Sequence, residues 1–153
     1  MNSGFAGERA VRTHSFDIAL PATEAFSFFT PEGERSWAPG WDPRYVYPRG
    51  PDPEKGTVFT TGEGAEKTLW LISRYEPAVG EVEYVRITPG NRLAIVHVHC
   101  AALDSSSTRV TVSYEYTGLS DAGNDYVRSM DEAAYREFIE SWGEAIRAAI
   151  AAS

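Results

Sequence analysis

Phe16, Ile18 and Leu20 alternate with Asp17 and Ala19, the two-residue period of a half-buried strand, which predicts a first strand over residues 9–20 ended by Pro21. Ala25, Phe26, Phe28 and Phe29 then crowd a short helical segment, which Thr30-Pro31-Glu32-Gly33 breaks. A second helical turn fits around Glu34 to Trp37. Residues 37–53 are rich in Pro, Gly and aromatic side chains and read as irregular, with a short strand at 45–47. From Gly56 the chain reads as a meander, with strands predicted over 57–61, 67–75, 81–88, 92–103 and 108–117. The breaks between them are Gly62-Glu63-Gly64, residues 77–80, Pro89-Gly90 and residues 104–107. Breaks this short make hairpins, so sequence neighbours pair antiparallel.

The period then changes. Val127, Met130, Ala134, Phe138, Trp142, Ala145 and Ala149 recur at steps of three and four, with Tyr135, Ile139, Ile146 and Ile150 as a shoulder. One helix over about residues 121–151 is predicted, capped by Ser120 or Asn124 and carrying a Glu132–Arg136 pair. At 1.5 Å per residue it spans about 40 Å, enough to cross a whole sheet. Gly143 lies inside it, which costs about 1 kcal/mol relative to Ala and permits a close approach by the sheet or a ligand.

Hairpin register assigns faces. If Pro89-Gly90 is a two-residue turn and residues 104–107 an even loop, one face holds Val82, Tyr84, Arg86, Leu93, Ile95, His97, His99, Val110, Val112, Tyr114 and Tyr116. The other face holds Glu81, Glu83, Val85, Ile87, Arg92, Val96, Val98, Arg109, Thr111, Ser113 and Glu115, is more charged, and is assigned to solvent. Cys100 takes outward parity, while His14 shares the inward parity of Phe16 and Ile18. In 67–75 either Trp70 and Ile72, or Leu69, Leu71 and Tyr75, point inward. A single bulge would invert a strand, since side chains alternate.

Composition narrows the partners. A net charge of −8 repels phosphate backbones, which argues against nucleic acid, and disfavours anionic membranes. No apolar run is long enough to span a bilayer. Met1 to Gly7 lack the basic and apolar regions of a signal peptide, and residues 1–8 read as a loose start. A single cysteine, Cys100, allows no internal disulfide and suits a reducing, cytoplasmic setting. The 153 residues read as one domain, 1–153, and a homodimer is left open.

The segments Phe16-Asp17-Ile18-Ala19-Leu20-Pro21-Ala22-Thr23-Glu24-Ala25-Phe26, Tyr84-Val85-Arg86-Ile87-Thr88-Pro89-Gly90 and Val110-Thr111-Val112-Ser113-Tyr114, with Thr117-Gly118-Leu119-Ser120 leading into a helix that carries Trp142, form a pattern. In this order they resemble the START-like helix-grip superfamily of pollen-allergen-like proteins, lipid-transfer domains and polyketide cyclases. The resemblance implies an α+β fold: a curved seven-stranded antiparallel sheet wrapped around a long C-terminal helix, with two short helices after strand 1. It implies a hydrophobic ligand between sheet and helix, and in some members cyclisation or dehydration there. It supplies no universal catalytic motif.

On these faces the expected ligand-binding residues are Trp41, Tyr84, Arg86, His97, His99, Tyr114, Tyr135, Phe138 and Trp142. The catalytic residues stay unassigned. His97 and His99 stand about 6.7 Å apart on one strand face and serve as pocket-lining donors, structural residues or metal ligands. With His14 a strand away and no acidic cluster beside them, no metal and no cofactor is expected. Arg86 offers a fork for a carboxylate or phosphate, or pairs with an acidic side chain. Trp37 and Trp41 either frame a pocket mouth or plug the end of the sheet. The expected function is binding of a small hydrophobic or aromatic molecule such as a lipid or polyketide. The alternatives are a cyclase or dehydratase using His, Tyr or Arg of the same cavity, and a protein-interaction module.

Overall fold

The structure is a computed structural model and describes residues 4–153. Strand β1 (Arg9–Ile18) leads into α1 (Ala22–Phe26) and two 3-10 turns, Ser27–Phe29 and Gly33–Ser36. The strands β2 (Arg44–Tyr47), β3 (Val58–Thr61), β4 (Thr68–Glu76), β5 (Glu81–Thr88), β6 (Arg92–Asp104) and β7 (Ser107–Gly118) follow. All seven form one antiparallel sheet in the order β1-β7-β6-β5-β4-β3-β2. This is the α+β helix-grip arrangement anticipated from the sequence.

The C-terminal helix is not continuous. It divides into α2 (Asp121–Ser129) and α3 (Glu132–Ala152). Ser120 caps α2 through the Gly123 N–H, and Asp131 caps α3 through the Ala134 N–H at 2.8 Å. Between them the Met130 carbonyl accepts from the Arg12 side chain at 3.0 Å, so the break leaves that acceptor satisfied. Asn124 is not a cap. It is buried and ties down the chain before β1, accepting from the Glu8 N–H and donating to the Ala6 carbonyl. The loose start foreseen for this region therefore does not extend to Ala6 and Glu8, and Met1 to Ser3 lie outside the described residues.

The register corrects one strand of the face assignment. The turn after β5 has three residues, Pro89-Gly90-Asn91, because Thr88 pairs with Arg92. At the other end of β6 a bulge at Leu103 puts Ala102 opposite Thr108. Both shifts have the same sense, so β6 is inverted as a unit while β5 and β7 keep their expected faces. Ala94, Val96, Val98 and Cys100 are buried in the core. Leu93, Ile95, His97 and His99 face outward, and Arg92 moves inside, its guanidinium 3.8 Å from the Tyr126 ring centre. In β4, Trp70 and Ile72 point inward; a bulge at Ser73 then lets Tyr75 turn inward too, against Phe26.

Helix α3 touches the sheet along one line. Tyr135, Ile139, Gly143 and Ile146 are its buried residues. Burying each large apolar side chain contributes about 1.5–3 kcal/mol. At Gly143 an added Cβ would stand 3.0 Å from the Phe16 ring, so the glycine sets how closely helix and sheet approach. Helix α2 makes a tighter contact. A Cβ on Gly123 would lie 1.6 Å from the Asn91 carbonyl oxygen, which is rigid backbone. Gly123→Ala should therefore lower stability by about 1–3 kcal/mol in chemical denaturation. Gly50→Ala, where nothing lies within 4 Å, should stay within about 0.5 kcal/mol of wild type.

Candidate ligand cavity

Beside the line where α3 meets the sheet lies a cavity of about 400 Å³. Strands β4, β5, β6 and β7 supply Trp70, Tyr84, Arg86, Val96, Val98 and Tyr114 as its floor. Helix α3 supplies Phe138, Ser141, Trp142 and Ala145, and the segment after β1 supplies Phe29, Glu34, Trp37, Ala38, Pro39 and Trp41. All four tryptophans of the chain line it.

The aromatic walls are held in place by specific bonds. The Trp37 indole N–H donates to the Phe28 carbonyl and that of Trp41 to the Pro31 carbonyl, both at 2.8 Å. Trp37 packs against Trp142 at 5.4 Å between ring centres, and Trp41 meets Trp70 edge to face at 5.3 Å. The irregular segment thus forms a wall of the cavity. The Tyr84 hydroxyl donates to the Phe29 carbonyl at 2.6 Å, tying β5 to the same segment. Burial raises the Tyr84 and Tyr114 hydroxyls above the ordinary tyrosine value.

Of the residues expected at the site, the structure brings together Trp41, Tyr84, Arg86, Tyr114, Phe138 and Trp142. Tyr135 is not among the lining residues. Its hydroxyl donates to the Val112 carbonyl at 2.7 Å, which pins α3 to β7 and holds the ring in the core. His97 and His99 are on the opposite face for the register reason given above. His97 Nε2 lies 3.6 Å from Glu81, and His99 borders a shallow outer depression with Arg74, Glu76 and Glu81. His14 keeps its expected facing and bonds to Glu140 of α3. Cys100 points inward, and burial pushes its thiol up to about 12, which leaves it a packing residue. No cluster of three or more His, Cys, Asp or Glu suited to a metal ion occurs among the described residues.

Two charged residues line the aromatic cavity. The Arg86 guanidinium lies 4.9 Å from the Trp70 ring centre and reaches the Thr68 and Thr88 hydroxyls only at 3.4 Å. Glu34 enters from the Gly33–Ser36 turn, and desolvation raises its carboxyl well above the usual 4.5. No ion pair joins it to Arg86 or to any other cation among the described residues. Glu34 was not singled out from the sequence. It is one of 22 acidic residues, sits in a short turn without periodicity, and only the folding of that turn over the sheet carries it inward.

No protein-family model and no curated protein sequence matches the chain. Solved structures do. Norcoclaurine synthase from Thalictrum flavum, in complex with dopamine and hydroxybenzaldehyde, superposes with a TM-score of 0.65 at 14% identity, over 92% of this chain and 85% of that one. An uncharacterised protein from Rhizobium leguminosarum gives 0.70 at 12% identity, over 97% and 98%. A protein from Helicobacter pylori gives 0.70 at 9% identity, over 89% and 84%. At such identities the likeness is one of architecture, and together with the strand order and the helix across the sheet it identifies the fold of this chain as a helix-grip fold.

Proposed function

We infer that the protein binds a small, largely aromatic molecule in the cavity between sheet and α3. The observation that carries this reading is an unfilled space of about 400 Å³ walled by Trp37, Trp41, Trp70, Trp142, Tyr84, Tyr114 and Phe138. That volume falls in the range of small-molecule sites, and a mainly apolar wall with few polar groups is their usual composition. Flat rings can slide between edge-on aromatic walls that their own hydrogen bonds hold open. The norcoclaurine synthase of the same fold holds two small aromatic molecules, dopamine and hydroxybenzaldehyde, which supports the same ligand class here. A module acting only through its surface would have no use for an open cavity. Among the described residues no helix is long and apolar enough to cross a membrane.

One observation favours turnover as a second reading. A carboxyl held neutral in an apolar site can donate a proton at a pH where ordinary carboxylates cannot. Desolvation shifts the Glu34 carboxyl in that direction, so Glu34 takes the place of the outward-facing His97 and His99 as the candidate acid of a cyclase or dehydratase-type reaction.

Binding of an aromatic probe such as 2-naphthol should quench or shift tryptophan emission, since every tryptophan faces the cavity. Ala145→Trp, which fills the space from α3, should weaken that response at least about tenfold without loss of the folded circular dichroism spectrum. Equal titrations of wild type and the filled variant would remove the cavity as the site.

The pH dependence of stability tests Glu34. Its folded value lies above the unfolded one, so the unfolded chain releases this proton first. The contribution to stability is fully present below the unfolded value near 4.5 and is lost as pH rises through the folded value. Glu34→Gln should therefore gain Tm relative to wild type as pH rises above about 5. A difference that stays constant over that rise would mean an ordinary carboxylate.

A further inference from the structure

The cavity holds a cation without a counter-ion. Arg86 points inward from β5 and lines the space, yet no carboxylate of the described residues pairs with it. Its polar contacts are hydroxyls alone, two long ones from Nη2 to Thr68 and Thr88 and the neighbouring Tyr114, so no charged group neutralises its fork. Glu34 would be the obvious partner and lines the same cavity, but desolvation is the sole influence on its carboxyl, with no attraction from Arg86. A buried or half-buried cation left unpaired is costly, because protein replaces the water that would solvate it. The face of Trp70 offsets only part of that loss.

A second observation lies in the same cross-sheet row. Arg86 pairs with Ala94, and Ala94 pairs with Tyr116, so a methyl group alone separates the arginine from the tyrosine ring on the inner face. The Tyr116 hydroxyl is the one buried side-chain polar atom without a hydrogen-bond partner among the described residues, and it lies near enough to Arg86 to feel its charge. Tyr114, stacked on Tyr116 at 5.1 Å between ring centres, faces the cavity and feels the same charge. Arg86 and the Tyr114 hydroxyl thus make one polar end of an otherwise aromatic lining, while the Tyr116 hydroxyl, outside that lining, stays buried.

We propose that this end is an anion subsite and that the ligand of the cavity is a small aromatic monocarboxylate, its carboxylate on Arg86 and its ring between the tryptophans. This rests on the cavity being the ligand site. A carboxylate is planar and accepts two parallel bonds from a guanidinium fork. A dianion such as a phosphate monoester fits less well. Among the described residues one guanidinium is the only cation lining the cavity, Glu34 lines it as well, and the chain carries a net charge of −8.

Four isothermal and fluorescence titrations test it, with 2-naphthoate, its near-isosteric amide 2-naphthamide, 2-naphthol and 2-naphthyl phosphate. Wild type should bind 2-naphthoate at least about tenfold more tightly than 2-naphthamide, the size of one charge-assisted hydrogen bond. The phosphate should bind more weakly than the carboxylate. Arg86→Gln should abolish the preference for carboxylate over amide, and Arg86→Lys should keep a reduced preference. Equal affinity for carboxylate and amide in wild type overturns the anion subsite but leaves an aromatic cavity. So does a preference that survives Arg86→Gln, and tighter binding of the phosphate overturns the monoanion class. Failure of all four probes to perturb tryptophan emission overturns the cavity reading itself, and the anion subsite with it. The wild-type comparison stands even if Arg86→Gln fails to fold.

Discussion

Helix α3 meets the sheet along a single line, and the rest of the molecule is arranged around that contact. Tyr135, Ile139, Gly143 and Ile146 fill the line, with the Tyr135 hydroxyl bonded to the backbone of β7 and the Phe16 ring set against Gly143. A straight helix cannot follow a curved sheet on both flanks. Where it diverges, Phe138 and Trp142 stand beside the line instead of on it. Trp37, Trp41 and Trp70 close the far side, each held by an indole hydrogen bond, the last to Thr61 at 2.9 Å. These rings prop the walls apart, because edge-to-face packing keeps them in fixed orientations. An apolar space of this kind persists only where side chains cannot relax into it.

Given such a space, the placing of charge within it becomes the chemically informative feature. Most ion pairs of this protein lie at its surface, as with Arg109 and Asp17 or Arg35 and Asp42. Exposed pairs contribute little, because water competes for both partners. Arg86 and Glu34 differ. They share one low-dielectric cavity and remain apart, the first as an unpaired cation and the second as a carboxyl driven toward its neutral form. Stability alone would favour either a direct pair or two apolar residues. Their separation across an aromatic space is the arrangement expected where a third molecule completes the polar contacts.

Much of the architecture was legible in the chain. The strands, the hairpin pairing of sequence neighbours from β3 to β7 and Ser120 as a helix cap follow from short-range physics: alternation with period two and Gly- and Pro-marked turns, whereas the pairing of β1 with β7 is long-range. The helix break at Met130 was not legible, since the apolar stripe runs through it. Asp131 competes for the cap, and the Arg12 side chain from a distant strand compensates the lost bond. The site was half legible. Tyr84, Arg86, Tyr114, Phe138 and Trp142 line the cavity because their strands and helix kept the expected faces, and Trp41 lines it from the irregular segment. His97 and His99 do not, because one extra turn residue, Asn91, and one bulge at Leu103 invert β6.

The sequence by itself determined the sheet, the helix that crosses it and the apolar character of the surface between them, since these depend on periodicity along the chain. Only the tertiary structure decided which polar groups enter that surface. In a strand a one-residue slip exchanges every inside group for an outside one, and both the Asn91 turn and the Leu103 bulge are set by cross-strand pairing that no local pattern encodes. The same holds for Glu34. A short turn carries no amphipathic signal, so its half-buried carboxyl reaches the cavity only when the segment after β1 folds over the sheet beside Trp37 and Trp41.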